Sequence, residues 1–485
     1  MIIQAEQLSA GLGTVELLSD INWSVEEGQH WIITGANAAG KSMLINTLIG
    51  RTRIMAGTLR FPFLGEKIDF LKKKTAIARV SFTDTSKLFK SAEIQHYYQQ
   101  RYNAFDADGH LTVRDYLDTG GFDPNHPEHQ EVLERLGLDV LLDKERIKLS
   151  SGQTRKLLLS KALIKQPQLL LLDNPYIGLD AGSRQVLNDT LDRLAKESKI
   201  SIVLSGHFDV LPDCISHRLH LEEGTPTYVG PWKKLAVDQR TPPATVQEEA
   251  LNHLARFFQE RAQALSVEDV FKLDGVSVRY GSTTILDELT WQVKPGEKWM
   301  LKGQNGAGKS TLLSLLYGDN PQAYSLPVYL FDQKRGPGQS IWAIKEKIGF
   351  TSPELHAYYD QDLLARHVVW SGLTDTFHVK PGTPQEFRMV TKWLFQYFGI
   401  EAYFNEPFSQ LSTGIQRLIL LMRALVKVPP VLLLDEPFQG FDQNLIQSCR
   451  ELLDRLMSRE STLIFITHFE AEAPSIVDQI FRLES

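Results

Sequence analysis

The stretch Gly303-Gln304-Asn305-Gly306-Ala307-Gly308-Lys309-Ser310-Thr311 follows the apolar run Trp299-Met300-Leu301 and precedes the helix-forming run Leu312 to Tyr317. Strand, loop and helix in that order are the setting in which a G-x-x-x-x-G-K-[ST] pattern works as a phosphate loop. Glycines let backbone N–H groups fold inward around phosphate oxygens, the helix N-terminus adds the positive end of its dipole, and Lys309 adds a point charge. Ser310 is then the expected Mg²⁺ ligand. A glycine-rich turn that merely fits the pattern would not need this flanking order.

The pattern occurs twice. Gly35-Ala36-Asn37-Ala38-Ala39-Gly40-Lys41-Ser42 has the same form, and the spacing from Gly35 to Gly303 also relates Trp23 to Trp291, Gly28 to Gly296, Trp31 to Trp299 and Gly50 to Gly318. A whole segment is therefore duplicated. Each copy takes about half the chain, far above the repeat period of a solenoid. A chain of 485 residues, 42% hydrophobic and 23% charged, has room for a core in each half. A formal net charge of -7 without a long basic block leaves no nucleic-acid footprint, so no nucleic-acid partner is expected. Two cysteines, Cys214 and Cys449, make neither a disulfide framework nor a Cys-rich metal site, which suits a reducing cytoplasm. Met1 to Glu6 lacks a charged, apolar leader pattern and no run reaches 18 apolar residues, so a membrane role is expected only through a partner.

Taken in order, residues 1 to about 34 read as short strands around the turn Glu26-Glu27-Gly28, with Leu289 to Val293 and Lys294-Pro295-Gly296 repeating the pattern in the second half. Residues 55–135 and 320–400 diverge between the copies and read as a small helical subdomain with irregular connections. Leu149-Ser150-Ser151-Gly152-Gln153 then precedes an amphipathic helical stretch, and Leu169-Leu170-Leu171-Leu172-Asp173 reads as a buried parallel strand delivering a carboxylate at its C-terminal end, where ligands sit in open α/β sheets. Leu411-Ser412-Thr413-Gly414-Ile415 and Val431-Leu432-Leu433-Leu434-Asp435 repeat this at the same interval, and two further strands end in His207 and His468. Singly, each piece has a plain explanation: a leucine run is core, Ser before a helix is an N-cap, a strand-end histidine is structural. Their shared order in two copies is what points to function. The boundaries expected are a first domain over 1–235, a linker over 236–268 and a second domain over 269–485. The linker carries a helical run from Val246 to Leu265 with Leu251, Leu254 and Phe258 on one stripe.

Phosphate loop, LSSGQ-like signature, carboxylate-ended strand, the Gly178-Leu179-Asp180 and Gly440-Phe441-Asp442 loops and the strand-end histidine together resemble the ATP-binding-cassette (ABC) ATPase family over nearly the whole chain. Gly318 to Ser325, Ser340 to Lys345 and Thr467 to Pro474 further resemble the tandem type found with molybdate-transport systems. The resemblance implies an α/β fold with two P-loop NTPase domains, each a mostly parallel sheet with an antiparallel β part and a helical subdomain. It implies an ATPase that uses ATP and Mg²⁺, with the two halves sandwiching two nucleotides head to tail. The second site then combines Lys309, Ser310, Thr311, Asp435, Glu436 and His468 with Ser150, Gly152 and Gln153 of the first half. Asp435 orders the metal, Glu436 polarises water, His468 steadies the γ-phosphate, and Tyr280 stacks on adenine. The first site combines Lys41, Ser42, Asp173 and His207 with Ser412 and Gly414, with Ser42 and Asp173 as its expected Mg²⁺ ligands. It has Asn174 where the catalytic Glu is expected and Leu12 in the place of Tyr280.

The family carries a Gln on the way to its membrane partner, yet Phe82 and Pro353 stand there, with Asp84 and Glu354 nearby. The leading expectation is the ATPase subunit of a transporter, cytoplasmic and peripheral on the inner face of the membrane, driving a separate integral membrane permease. The alternative is a soluble cassette ATPase with a regulatory or translation-associated role. The translation-associated type resembles this chain less, since it has a long charged linker and Asn-His-Leu-Asp where Tyr176 to Asp180 and Phe438 to Asp442 stand here. A DNA-repair cassette is disfavoured by the missing cysteine-rich modules.

Overall fold

The computed structural model describes the chain except residues 14, 37–38, 66–69, 82–111, 147–148, 150, 177–178, 180, 207–210, 233–243, 281–282, 305, 337, 354, 356–358, 360–362, 377–381 and 484–485. The described residues form two compact units, one within 1–237 and one within 238–485.

In the first unit, β1 (Ile3–Leu12), β2 (Val15–Val25) and β4 (Arg53–Arg60) make an antiparallel sheet in the order β2-β1-β4. The strands are longer than their sequence suggests. Register shifts along β1 and β2, with Gln7 and Asp20 at positive φ, interrupt the alternation from which strands are recognised. The second sheet runs β5-β6-β7-β3-β8-β9, built from β3 (Trp31–Thr34), β5 (Ile77–Ser81), β6 (Leu169–Asp173), β7 (Ser201–Ser205), β8 (His217–Glu222) and β9 (Thr225–Pro231). All neighbours are parallel except β8 and β9. Continuous leucine suits β6 because both faces are covered. Leu169 and Leu171 join the core under the antiparallel sheet, while Leu170 and Leu172 join a second core with Leu157 and Leu159 of the helix Ser151–Leu163.

The second unit repeats this plan. β10 (Phe271–Tyr280), β11 (Thr283–Val293), β13 (Val328–Leu330) and β14 (Gln333–Lys334) form an antiparallel sheet, and β12 (Lys298–Lys302), β15 (Ile348–Thr351), β16 (Val431–Asp435), β17 (Thr462–Ile466) and β18 (Gln479–Arg482) form a parallel one in the order β15-β16-β17-β12-β18. Leu433 and Leu434 again face different cores. The phosphate-loop strands β3 and β12 are interior, with a neighbour of higher strand number on each side, so each loop leaves the carboxyl end of a central strand.

The regions read as helical subdomains hold strands as well as helices: β5 precedes the helices Val113–Asp118 and Pro127–Leu136, and β13 to β15 precede Ala365–Ser371 and Gln385–Tyr397. In the connecting segment the helix Ala244–Arg261 buries Leu251, Leu254 and Phe258 in the same core as Val390 and Leu394, and its His253 stacks on Trp393 at 4.9 Å. It is thus part of the second unit's core. Among the described residues no helix is long and apolar enough to cross a membrane.

Candidate active site

Each phosphate loop closes on its own lysine. Lys41 Nζ donates to the carbonyls of Gly35 at 2.8 Å and Ala36 at 2.6 Å, and Lys309 Nζ donates to those of Gly303 at 2.7 Å and Gln304 at 3.0 Å. Gly40 and Gly308 precede the helices Lys41–Leu48 and Lys309–Leu316 at φ 96 and 91, a left-handed turn that side chains resist. A Cβ on Gly308 would come within 2.8 Å of Leu286, and one on Gly40 within 2.9 Å of Leu18. A side chain at either position would press on the strand beside the loop. Asn37, Ala38 and Asn305 lie outside the described residues.

In the second unit β16 ends in buried Asp435, followed by Glu436. The Glu436 amide donates to Ile466 O at 2.9 Å, extending the ladder with β17 by one residue, and the chain then turns with Glu436 at φ 43. Holding a non-glycine residue there costs roughly 1–3 kcal/mol, and such strain gathers at working sites. The carboxylate has a neighbour at each oxygen: Oε2 accepts from Gln439 Nε2 at 2.6 Å, and Oε1 lies at ion-pair distance, 2.8 Å, from His468 Nε2, outside hydrogen-bond geometry. Burial pushes the Glu436 pKa up, but the His468 contact and the charges of Lys309 and Arg417 outweigh it and hold the carboxyl below its ordinary value. Arg417 sits behind this group, donating to Gln439 O at 2.6 Å, and burial lowers its guanidinium to about 10. A base kept ionised beside a phosphate loop is equipped to polarise water.

The first unit has the same backbone with different chemistry. Asn174 donates its amide to Ser205 O at 2.8 Å and sits at φ 52, a conformation Asn tolerates more readily than Glu. Its carboxamide donates to Asp173 Oδ1 at 3.3 Å, and that oxygen also accepts from Ser42 Oγ at 3.0 Å and Ser205 Oγ at 2.7 Å. Asp173 Oδ2 pairs with Arg79 Nη2 at 3.0 Å.

Loop lysine, strand-end carboxylate and the residue after it thus meet at the carboxyl end of each parallel sheet. The signature residues lie at the start of the helices that follow them. Ser412 is exposed and caps the helix Thr413–Leu425 by accepting from Ile415 N at 3.4 Å, and Gln153 lies in the first turns of Ser151–Leu163 with Lys144 at 3.5 Å. Gly152 opens that same helix, while Ser150, His207, Phe82, Asp84, Gly178, Asp180 and Glu354, and the side chain of Leu12, lie outside the described residues. Tyr280 ends β10 half-buried, its hydroxyl accepting from Asn320 Nδ2 at 3.2 Å. Sequence reasoning passed over Arg79, Ser205, Gln439 and Arg417. Arg79 had a signal, a charge in the middle of the apolar strand Ile77-Ala78-Arg79-Val80.

Ser310 and Asp435 offer the hard oxygen donors that suit Mg²⁺, with remaining positions left to water and phosphate. Fold and site together define a tandem P-loop nucleotide-binding protein. A family model described as ABC transporter matches residues 18–177 and 286–439. The ABC transporter ATP-binding protein ModF of Escherichia coli is 34% identical over 468 residues, 95% of this chain and 92% of that protein. An uncharacterized ABC transporter ATP-binding protein of Schizosaccharomyces pombe is 30% identical over 480 residues, 97% of this chain and 95% of that one. Another from Saccharomyces cerevisiae is 27% identical and covers 93% of this chain. The chain belongs to the ABC transporter family of ATP-binding proteins, as a tandem ABC ATPase similar to ModF over 95% of its length.

Proposed function

We propose that this ATPase energises a separate integral membrane permease, in the manner of the ModF type and with molybdate transport as the nearest functional association, and that its two sites are unequal. The single observation that carries the inequality is the pair Glu436 and Asn174, two residues on the same backbone turn of which only one can act as a base. In the second site Lys309 meets the β- and γ-phosphates, Glu436 orients and polarises the attacking water, and His468 steadies the γ-phosphate. Ser310 and Asp435 hold Mg²⁺, which supplies positive charge to the phosphate oxygens. Ser150, Gly152 and Gln153 complete this site from the first half and Ser412 and Gly414 complete the other, in a head-to-tail sandwich. Tyr280 supplies the adenine platform, and the domains divide at 235 and 269.

The observation favouring a second reading is Pro353, which follows β15 where a coupling glutamine would stand. A proline offers no side-chain hydrogen bond, so a soluble cassette ATPase with a regulatory or translation-associated role is the alternative. Affinity purification of the chain from solubilised membranes of its native cells separates the two. Co-purification of a multispan protein supports the permease, and recovery with ribosomes or alone supports the alternative.

A further inference from the structure

Asp173 is 2% exposed, and both of its oxygens already have donors within the protein. Oδ1 takes Ser42, Ser205 and Asn174, and Oδ2 takes the Arg79 guanidinium. The arginine reaches it through strand geometry. Ser81 of β5 lies opposite Asp173 of β6, and Arg79, two residues back on the same face of the sheet, extends its long side chain along the strand. Arg79 is itself largely buried, and among the described residues its Nε–H has no acceptor.

The second unit carries other residues at these positions. β15 puts Phe350 where β5 puts Arg79, since Phe350 pairs with Leu433 as Arg79 pairs with Leu171. Phe350 stacks on Tyr317 with ring centroids 4.3 Å apart. Ile466 stands opposite Asp435 where Ser205 stands opposite Asp173, and Glu436 replaces Asn174. Three side chains that donate to Asp173 are thus replaced around Asp435 by three that cannot.

The charges diverge accordingly. In the first unit Arg79 pairs directly with Asp173, while in the second the charges of Lys309 and Arg417 act on Glu436, the residue after Asp435. A polyphosphate brought to the first group meets the Arg79 guanidinium already seated at Asp173. Mg²⁺ would also have to displace a buried guanidinium from its carboxylate while keeping its own near-octahedral shell.

We propose that the first site binds its nucleotide without a divalent cation, with the Arg79 guanidinium holding at Asp173 the electrostatic place that Mg²⁺ holds at Asp435. This rests on the two-site reading above, and it gives Ser42 and Asp173 a structural partnership in place of metal ligation.

The test counts nucleotide and metal separately on the full chain carrying Glu436→Gln, with ATP and Mn²⁺ in equilibrium dialysis and bound Mn²⁺ read by electron paramagnetic resonance. The expected result is two ATP and one Mn²⁺ per chain. In EDTA one ATP should remain, retained when Lys309→Ala is added and lost when Lys41→Ala is added. Arg79→Met should lose the EDTA-resistant ATP, and Arg79→Lys should keep it. Two ATP with two Mn²⁺ in the Glu436→Gln chain leaves two sites standing and overturns the proposal, whatever the Arg79 variants do. Loss of all ATP in EDTA overturns it as well. One ATP per chain in the presence of Mn²⁺ overturns the two-site reading and the proposal with it.

Discussion

Gln439 Nε2 donates a 2.6 Å hydrogen bond to Oε2 of Glu436, the residue three positions before it. With His468 at 2.8 Å from the other oxygen, the carboxylate is oriented before substrate arrives. Pre-set orientation of a base lowers the barrier by removing the cost of ordering it during the reaction. Gln439→Leu should therefore lower kcat by about tenfold, corresponding to about 1.4 kcal/mol, and leave KM for ATP nearly unchanged. Steady-state kinetics check this; an unchanged kcat would show the clasp to be structural only.

The depressed Glu436 pKa has a direction in pH. Burial raises it, and the His468 contact with the neighbouring charges more than reverses that. A base is active when deprotonated, so the acid limb of the kcat/KM profile should lie below the ordinary carboxylate range. His468→Gln removes the main lowering influence, and the limb should move to higher pH. A limb that stays in place or moves to lower pH contradicts the assignment.

Lys309→Ala removes the charge that the second loop folds around, since Nζ closes on Gly303 and Gln304. Most ATP turnover should disappear, with the loss of a charge-assisted contact to the phosphates. Wild-type turnover in a purified, folded Lys309→Ala protein is the outcome that would remove this loop from the mechanism.

Leu254 is fully buried in the helix that connects the halves. Leu254→Ala should destabilise the second unit by roughly 2–5 kcal/mol, as a cavity in a packed core does. Denaturant unfolding followed by Trp fluorescence checks it, Trp393 lying against this helix. A change below about 0.5 kcal/mol would make the helix a tether.

The loops, the strand-ending carboxylates Asp173 and Asp435 and the contrast of Asn174 with Glu436 are legible in the sequence because their chemistry depends on contiguous residues. Leu169 to Leu172 likewise announces a doubly covered strand. What sequence hides is pairing across strands. Arg79 reaches Asp173, and Ser205 faces it, only through the order β5-β6-β7, which brings distant segments side by side. The full length of β1 and β2 is masked by their register shifts. Gln439 lies in plain view three residues after Glu436, yet only the turn at φ 43 brings its amide back onto the carboxylate.

The Glu436 site is expected to turn ATP over and the Asn174 site to hold it without hydrolysis. Single-turnover ATP hydrolysis, measured side by side in wild type, Glu436→Gln and Asn174→Asp, tests this directly. General-base assistance is worth about 10² to 10⁴-fold, so Glu436→Gln should lose nearly all hydrolysis while retaining bound ATP, and Asn174→Asp should stay close to wild type. Comparable rates in Glu436→Gln and wild type would show that Glu436 is not the base and that the sites do not differ in this way.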